Sequence, residues 1–158
     1  MSTAIDIIEY KEEYAPSFRK LNLEWLEKYK LVESHDLEVI NDPKGTILDG
    51  GGTIFLARTG EDIVGSAALV KTGKDEYELA KMAVTERWQG KGISKLLIEK
   101  CLATAKDKGA EKITLFSNHQ LQTAIRLYEK YGFRHIEVED SPFETADVKM
   151  ELVLKPTE

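Results

Sequence analysis

The 158-residue chain predicts an α/β (α+β) domain built on a mixed sheet, with 1–158 as a single domain. Three observations carry this reading. β-branched, partly alternating stretches recur between stretches whose apolar residues repeat at helical spacing. Their order is β, α, α, three strands, then α, β, α, β, β. One strand runs through a glycine turn straight into a helix, as Glu78 to Val84, Thr85 to Trp88 and Gln89 to Leu97.

The elements follow in order. Ala4 to Tyr10 reads as the first strand. A helix follows, with Pro16 in its first turn, where a missing N–H costs little. Phe18, Leu21, Trp25 and Tyr29 share its face; Phe18 and Leu21 read as core, and Trp25 and Tyr29 can also border a pocket. Leu31 to Pro43 reads as a loop and short helix, with Ser34 or Asp36 as cap. Gly50 to Gly52 reads as a flexible connection, because no Lys-Ser/Thr follows it. Thr53–Arg58 and Asp62–Lys71 form a hairpin around Thr59-Gly60-Glu61. Thr72 to Asp75 turns into the Glu78 strand, on which Glu78, Ala80, Met82 and Val84 share a face at period two.

The third helix starts near Gly92, presents Ile93, Leu96, Leu97, Cys101 and Thr104, and stops at Gly109. Lys112 to Ser117 is a strand, joined to the Glu78 strand by a right-handed parallel crossover. Leu121, Ala124, Ile125 and Tyr128 face one way on a fourth helix ending at Gly132. Phe133–Glu137 and Ala146–Leu154 complete the sheet.

Composition narrows the function classes. With 42% hydrophobic and 32% charged residues the chain is ordinary for a soluble domain. No long apolar run or charged-then-apolar leader is present, which argues against a membrane span or cleaved signal. A net charge of −6 disfavours nucleic acid as a partner. The single cysteine, Cys101, fits a cytoplasmic location and reads as a buried filler on an apolar face. His35, His119 and His135 lack paired ligand spacing, so no metal is expected.

Arg87, Lys91 and Lys95 cluster at the glycine turn, as a solvated helix end or as an anion site. Glycines and a helix start together expose N–H groups to a phosphate. A dinucleotide fingerprint needs a third glycine where Lys95 stands. A Walker loop needs GxxxxGK[ST], which is absent. A pyrophosphate site of another type remains.

At this point the sequence resembles the GNAT family of acetyl-coenzyme-A-dependent N-acetyltransferases. The family's Gln/Arg-x-x-Gly-x-Gly/Ala signature is matched by Gln89-x-x-Gly92-x-Ser94, and its Leu-Tyr-Glu-Lys-x-Gly-Phe run by Leu127 to Phe133. Ser94 departs from the usual glycine or alanine; it is small, and its hydroxyl can donate to phosphate. The resemblance implies a three-layer fold with helices on both faces of the sheet. It implies acetyl-CoA as cosubstrate, its pyrophosphate on Gln89, Gly90, Lys91, Gly92, Ile93, Ser94 and Lys95. The pantetheine arm would run along Met82, Ala83 and Val84, with further contacts from Asn118 and Lys130.

Glu78 matches a position where some members carry a general base; a salt-bridged strand-edge glutamate is the alternative. Tyr128 matches the tyrosine that protonates the leaving thiolate; core packing is the alternative. The acceptor pocket implied by the family draws on Trp25, Tyr29, Glu33, His35, Asp36, Phe143 and Glu144, whose acidic members can attract an amine. A small amine, an amino acid or a peptide N-terminus all fit. The competing readings are a coenzyme-A-binding regulatory module without turnover, and an interaction module, to which a homodimer through the late strands belongs.

Overall fold

A computed structural model of the chain describes residues 4–139, 141 and 144–154. Seven strands form one sheet in the order β1-β2-β3-β4-β5-β7-β6. They are β1 (Asp6–Glu9), β2 (Thr53–Thr59), β3 (Asp62–Gly73), β4 (Glu76–Val84), β5 (Lys112–Ser117), β6 (Arg134–Ile136) and β7 (Val148–Val153). The helices are α1 (Ala15–Lys28), α2 (Ser34–Asn41), α3 (Ile93–Asp107) and α4 (Gln122–Lys130). All neighbours pair antiparallel except β4 and β5, which are parallel. That exception follows from α3, which carries the chain back across the sheet between them.

The sheet separates two apolar clusters. One joins Leu97, Ile98, Cys101 and Ala105 of α3 to Leu79, Ile113, Ile125 and Phe133. The other joins Phe18 of α1 and Ile40 of α2 to Ile54, Leu56 and Ala68. Helices therefore cover both faces, as in the three-layer mixed fold the sequence implies. Phe18, Leu21 and Cys101 are buried, as their periodicity requires. Leu96 is not: it is 41% exposed, and Ile98 takes the place expected of it. The buried stripe of α3 runs through Ile93, Leu97, Cys101 and Ala105 with Ile98 and Leu102 beside it.

Two local readings change. Residues Lys44–Leu48, which the sequence assigns to no element, form a helical turn. The Gly50–Gly52 connection is pinned behind it, with Gly51 N donating to Leu48 O at 3.1 Å and Gly52 N to Ile47 O at 2.9 Å. Gly52 is required by space: a Cβ there would lie 2.4 Å from the Leu69 carbonyl. The cap of α2 is Glu33, not Ser34 or Asp36. Asp36 lies one turn in and accepts the Glu33 N–H at 3.0 Å, which satisfies a donor at the helix entry.

The largest correction lies in β4. Ser66 pairs with Ala83 and Ala68 with Ala80, so Lys81 and Met82 stand opposite the single residue Ala67. This is a β-bulge, and it reverses the alternation. Glu78 and Ala80 pair with Val70 and Ala68, on the α1–α2 face. Val84 joins the α3 cluster. Glu78 and Val84 therefore lie on opposite faces of the sheet, not on one.

Candidate functional site

The bulge is built by specific polar contacts. Lys81 adopts φ +52°, a left-handed conformation costly for a side-chain-bearing residue. Its carbonyl accepts the Ser66 hydroxyl at 2.7 Å. Ser66 in turn accepts Asn22 Nδ2 of α1 at 3.2 Å, and Asn22 also donates to Phe18 O at 2.9 Å. Asn22 and Ser66 are both buried. Ser66→Ala leaves a buried carbonyl and a buried amide short of partners, and lowers stability by about 1–3 kcal/mol. Urea denaturation measures this; an unchanged midpoint would show that the bulge does not depend on the contact.

Ahead of the bulge the sheet splits. β4 and β5 pair only over Glu76–Glu78 and Lys112–Thr114. After Glu78 the two strands have no ladder between them, while β5 stays on β7 through Ser117. The gap opens a cleft of about 120 Å3 walled by Trp25, Leu26 and Leu31 on one side and Phe116, Ser117 and Asn118 on the other. Glu78, Lys81, Met82 and Tyr128 also line it.

A second, larger groove of about 610 Å3 runs along the end of β4 and the start of α3. Met82 to Val84, Gln89, Gly90 and Gly92 to Lys95 line one wall, and α4 supplies Arg126 and Lys130. Trp25, Met82, Leu121 and Tyr128 border both cavities, so the groove meets the cleft at the tyrosine. Gly90 and Gly92 have φ +76° and +80°, and a Cβ at either would meet nothing within 4 Å. Glycine is thus required by the backbone angle and not by contact. Gln89 Nε2 donates to Val84 O at 3.0 Å and ties the turn to the strand. Gly92 is the N-cap of α3, so the first-turn N–H groups of Ile93, Ser94 and Lys95 have no intrahelical acceptor.

The electrostatics of the cleft single out two groups. Burial pushes the Glu78 carboxyl up to about 7, against the opposing pull of Lys81 and Lys149. Burial, with a smaller effect from Cys101, raises the Tyr128 phenol, which keeps it protonated through neutral pH. The Tyr128 ring packs edge-on against Phe133 with centroids 5.9 Å apart. Cys101 is fully buried and its thiol is pushed up to about 12, which removes thiolate character.

The remaining expected residues divide. Trp25 and Asp36 line the cleft, and Tyr29 lines the groove, its ring 5.0 Å from that of Trp25. Asn118 faces the cleft, where its amide donates to Thr145 O at 2.7 Å. Lys91 lines neither cavity and lies 6.0 Å from the Trp88 ring centre. Glu33, His35 and Glu144 also line neither. Glu33 instead binds the far loop: it accepts Glu144 N at 2.8 Å, Thr145 N at 3.0 Å and the Thr145 hydroxyl. Burial pushes the Glu33 carboxyl up, yet these hydrogen bonds and His35 together hold it below its ordinary value. Phe143 lies outside the described residues.

Sequence reasoning missed Lys81, whose ammonium meets Asp36 at 2.5 Å with both side chains over 90% buried. No local pattern marks it, since the pair joins positions 45 apart. Arg126 was legible in principle, one helical turn before Lys130 on α4. Among the described residues, no three His, Cys, Asp or Glu side chains converge as a metal site. No helix among them is long and apolar enough to cross a membrane.

Known proteins share this architecture. The profile of the Acetyltransferase (GNAT) family matches residues 10–133. The chain is 32% identical over 105 residues to YvbK of Bacillus subtilis, an uncharacterized N-acetyltransferase, covering 65% of this chain and 68% of that protein. It is 36% identical over 97 residues to an uncharacterized N-acetyltransferase of Mycobacterium tuberculosis, spanning 61% of this chain and 58% of the relative. A GNAT-family acetyltransferase of Staphylococcus aureus Mu50 superposes with TM-score 0.87 at 25% identity, over 96% of this chain and all of the other. The PaiA N-acetyltransferase of Thermoplasma acidophilum, solved in complex with coenzyme A, has the same fold, with TM-score 0.75 at 18% identity over 95% of this chain and 99% of that one.

Proposed function

Because the chain belongs to the GNAT acetyltransferase family, we propose that it transfers an acetyl group from acetyl-CoA to a primary amine by direct attack in a ternary complex. The observation that carries this reading is the junction at Tyr128. There, a cleft holding Glu78 opens into a groove that ends on a glycine turn and a helix start.

The residues present fit the cosubstrate. The open N–H groups from Gly90 to Lys95 suit a pyrophosphate, and Lys95, Arg126 and Lys130 add positive charge along the groove. The β4 edge beyond Glu78, left without a β5 partner, suits an extended arm that pairs with backbone. When bound, acetyl-CoA supplies a thioester carbonyl: the amine nitrogen bonds to its carbon, and the C–S bond breaks with its electron pair on sulfur. Glu78 takes the ammonium proton, directly or through one water; a base near 7 is well matched to neutral pH. Tyr128 gives its proton to the departing thiolate and regains one from the second N–H proton that the acylated nitrogen sheds. Amides of the bulged strand stabilise the charge that develops on the carbonyl oxygen.

The test is thiol release from acetyl-CoA across primary amines, amino acids and peptides. Acceptor-dependent release is expected; coenzyme A binding without release for any acceptor would favour a regulatory module. Gly92→Val tests the anion seat. A β-branched residue is strained at φ +80°, so coenzyme A affinity should fall at least tenfold by calorimetry. Unchanged affinity would place the pyrophosphate elsewhere.

A further inference from the structure

Resting on the acetyl-transfer reading, we infer that the acceptor is a monoamine with an apolar body, and that the Lys81–Asp36 ion pair excludes diamines and polyamines. The argument is a charge inventory of the cleft among the described residues. Two carboxylates line it, Asp36 and Glu78, and Glu33 stands just outside. Glu33 is committed to the Glu144 and Thr145 backbone and the Thr145 hydroxyl. Asp36 is committed twice, with Oδ1 on Lys81 and Oδ2 on the Glu33 amide. Of the carboxylates that line the cleft, Glu78 is the one left to meet an ammonium.

The cations point the same way. Lys81 and Lys149 both act on Glu78. Lys149 lies 5.2 Å from the centre of the Phe116 ring, which is itself a cleft wall. The other apolar walls are Trp25, Leu26, Leu31 and Leu121, while the polar wall residues Asn22, Asn118 and Thr145 already hold partners within the protein. A second ammonium on the acceptor would be stripped of water against an apolar wall or set near Lys81, with no carboxylate free to receive it. One ammonium at Glu78 and an aromatic or aliphatic remainder match the open carboxylate and the apolar walls.

The experiment compares kcat/KM for 2-phenylethylamine, 1,4-diaminobutane and spermidine in the full chain at one pH. Wild type prefers 2-phenylethylamine by about tenfold or more. Lys81→Met releases Asp36 to a second ammonium and raises the diamine-to-monoamine ratio about tenfold. The double variant Asp36→Asn, Lys81→Met removes both charges of the pair, so Asp36 is not left buried and unpaired, and it keeps the monoamine preference. Wild-type turnover led by spermidine overturns this proposal while leaving acetyl transfer intact. A rise in diamine use in the double variant, or a folded Lys81→Met with an unmoved ratio, overturns the role of the ion pair. No turnover with any amine overturns the acetyl-transfer reading and this proposal with it.

Discussion

Glu78→Gln lowers kcat/KM for amine acetylation by about 10²-fold or more and at the same time makes the folded protein more stable at pH 8. The two effects share one cause. A carboxyl raised from an ordinary 4.5 to about 7 is disfavoured as the anion by its burial. The native protein therefore binds the proton more tightly than the unfolded chain. Stability from this group is full below about 4.5 and is lost as pH rises through about 7. Above that, ionised Glu78 costs about 3 kcal/mol, which a neutral glutamine avoids. Urea denaturation of both proteins at pH 4.5 and pH 8 reads the difference, which should be near zero at the lower pH and favour glutamine at the higher. A glutamate that served as a structural ion-pair partner would give the opposite sign at pH 8.

Tyr128→Phe reduces kcat by about 10²-fold and leaves acetyl-CoA affinity nearly unchanged. The phenol sits where groove and cleft meet, and burial keeps its proton on at working pH. Phenylalanine preserves the ring and its edge contact with Phe133, so stability should move by less than about 1 kcal/mol. Only the proton donor is removed. Stopped-flow thiol release in a single turnover separates this from product release. Loss of stability with kcat intact would assign Tyr128 to packing.

Much of the fold was legible because it rests on local order. β5 has the expected bounds, and the hairpin turn and the α3 stop at Gly109 need only periodicity and glycine chemistry. The bulge at Lys81 was not legible, because it arises from a register between β3 and β4 that no short window contains. Period-two reading assumes an unbroken ladder, and one extra residue carried Val84 to the other face. The partners of the acidic residues were hidden for a related reason. Glu33, Asp36 and Glu144 look alike in sequence as amine attractors, but Glu33 and Asp36 are consumed by partners distant in the chain, and Glu144 meets Glu33 through its backbone. Glu78 and Tyr128 were legible only through a family resemblance. What distinguishes them physically, their burial at a shared junction, is a property of the assembled sheet.

The most direct test of proton removal by Glu78 is the pH dependence of amine-dependent thiol release in wild type and Glu78→Gln. With Glu78 as base, wild-type kcat/KM rises with pH through a limb near 7, and the variant loses that limb, its residual rate rising only toward the pKa of the free amine. A limb near 7 that persists unchanged in Glu78→Gln would contradict the account.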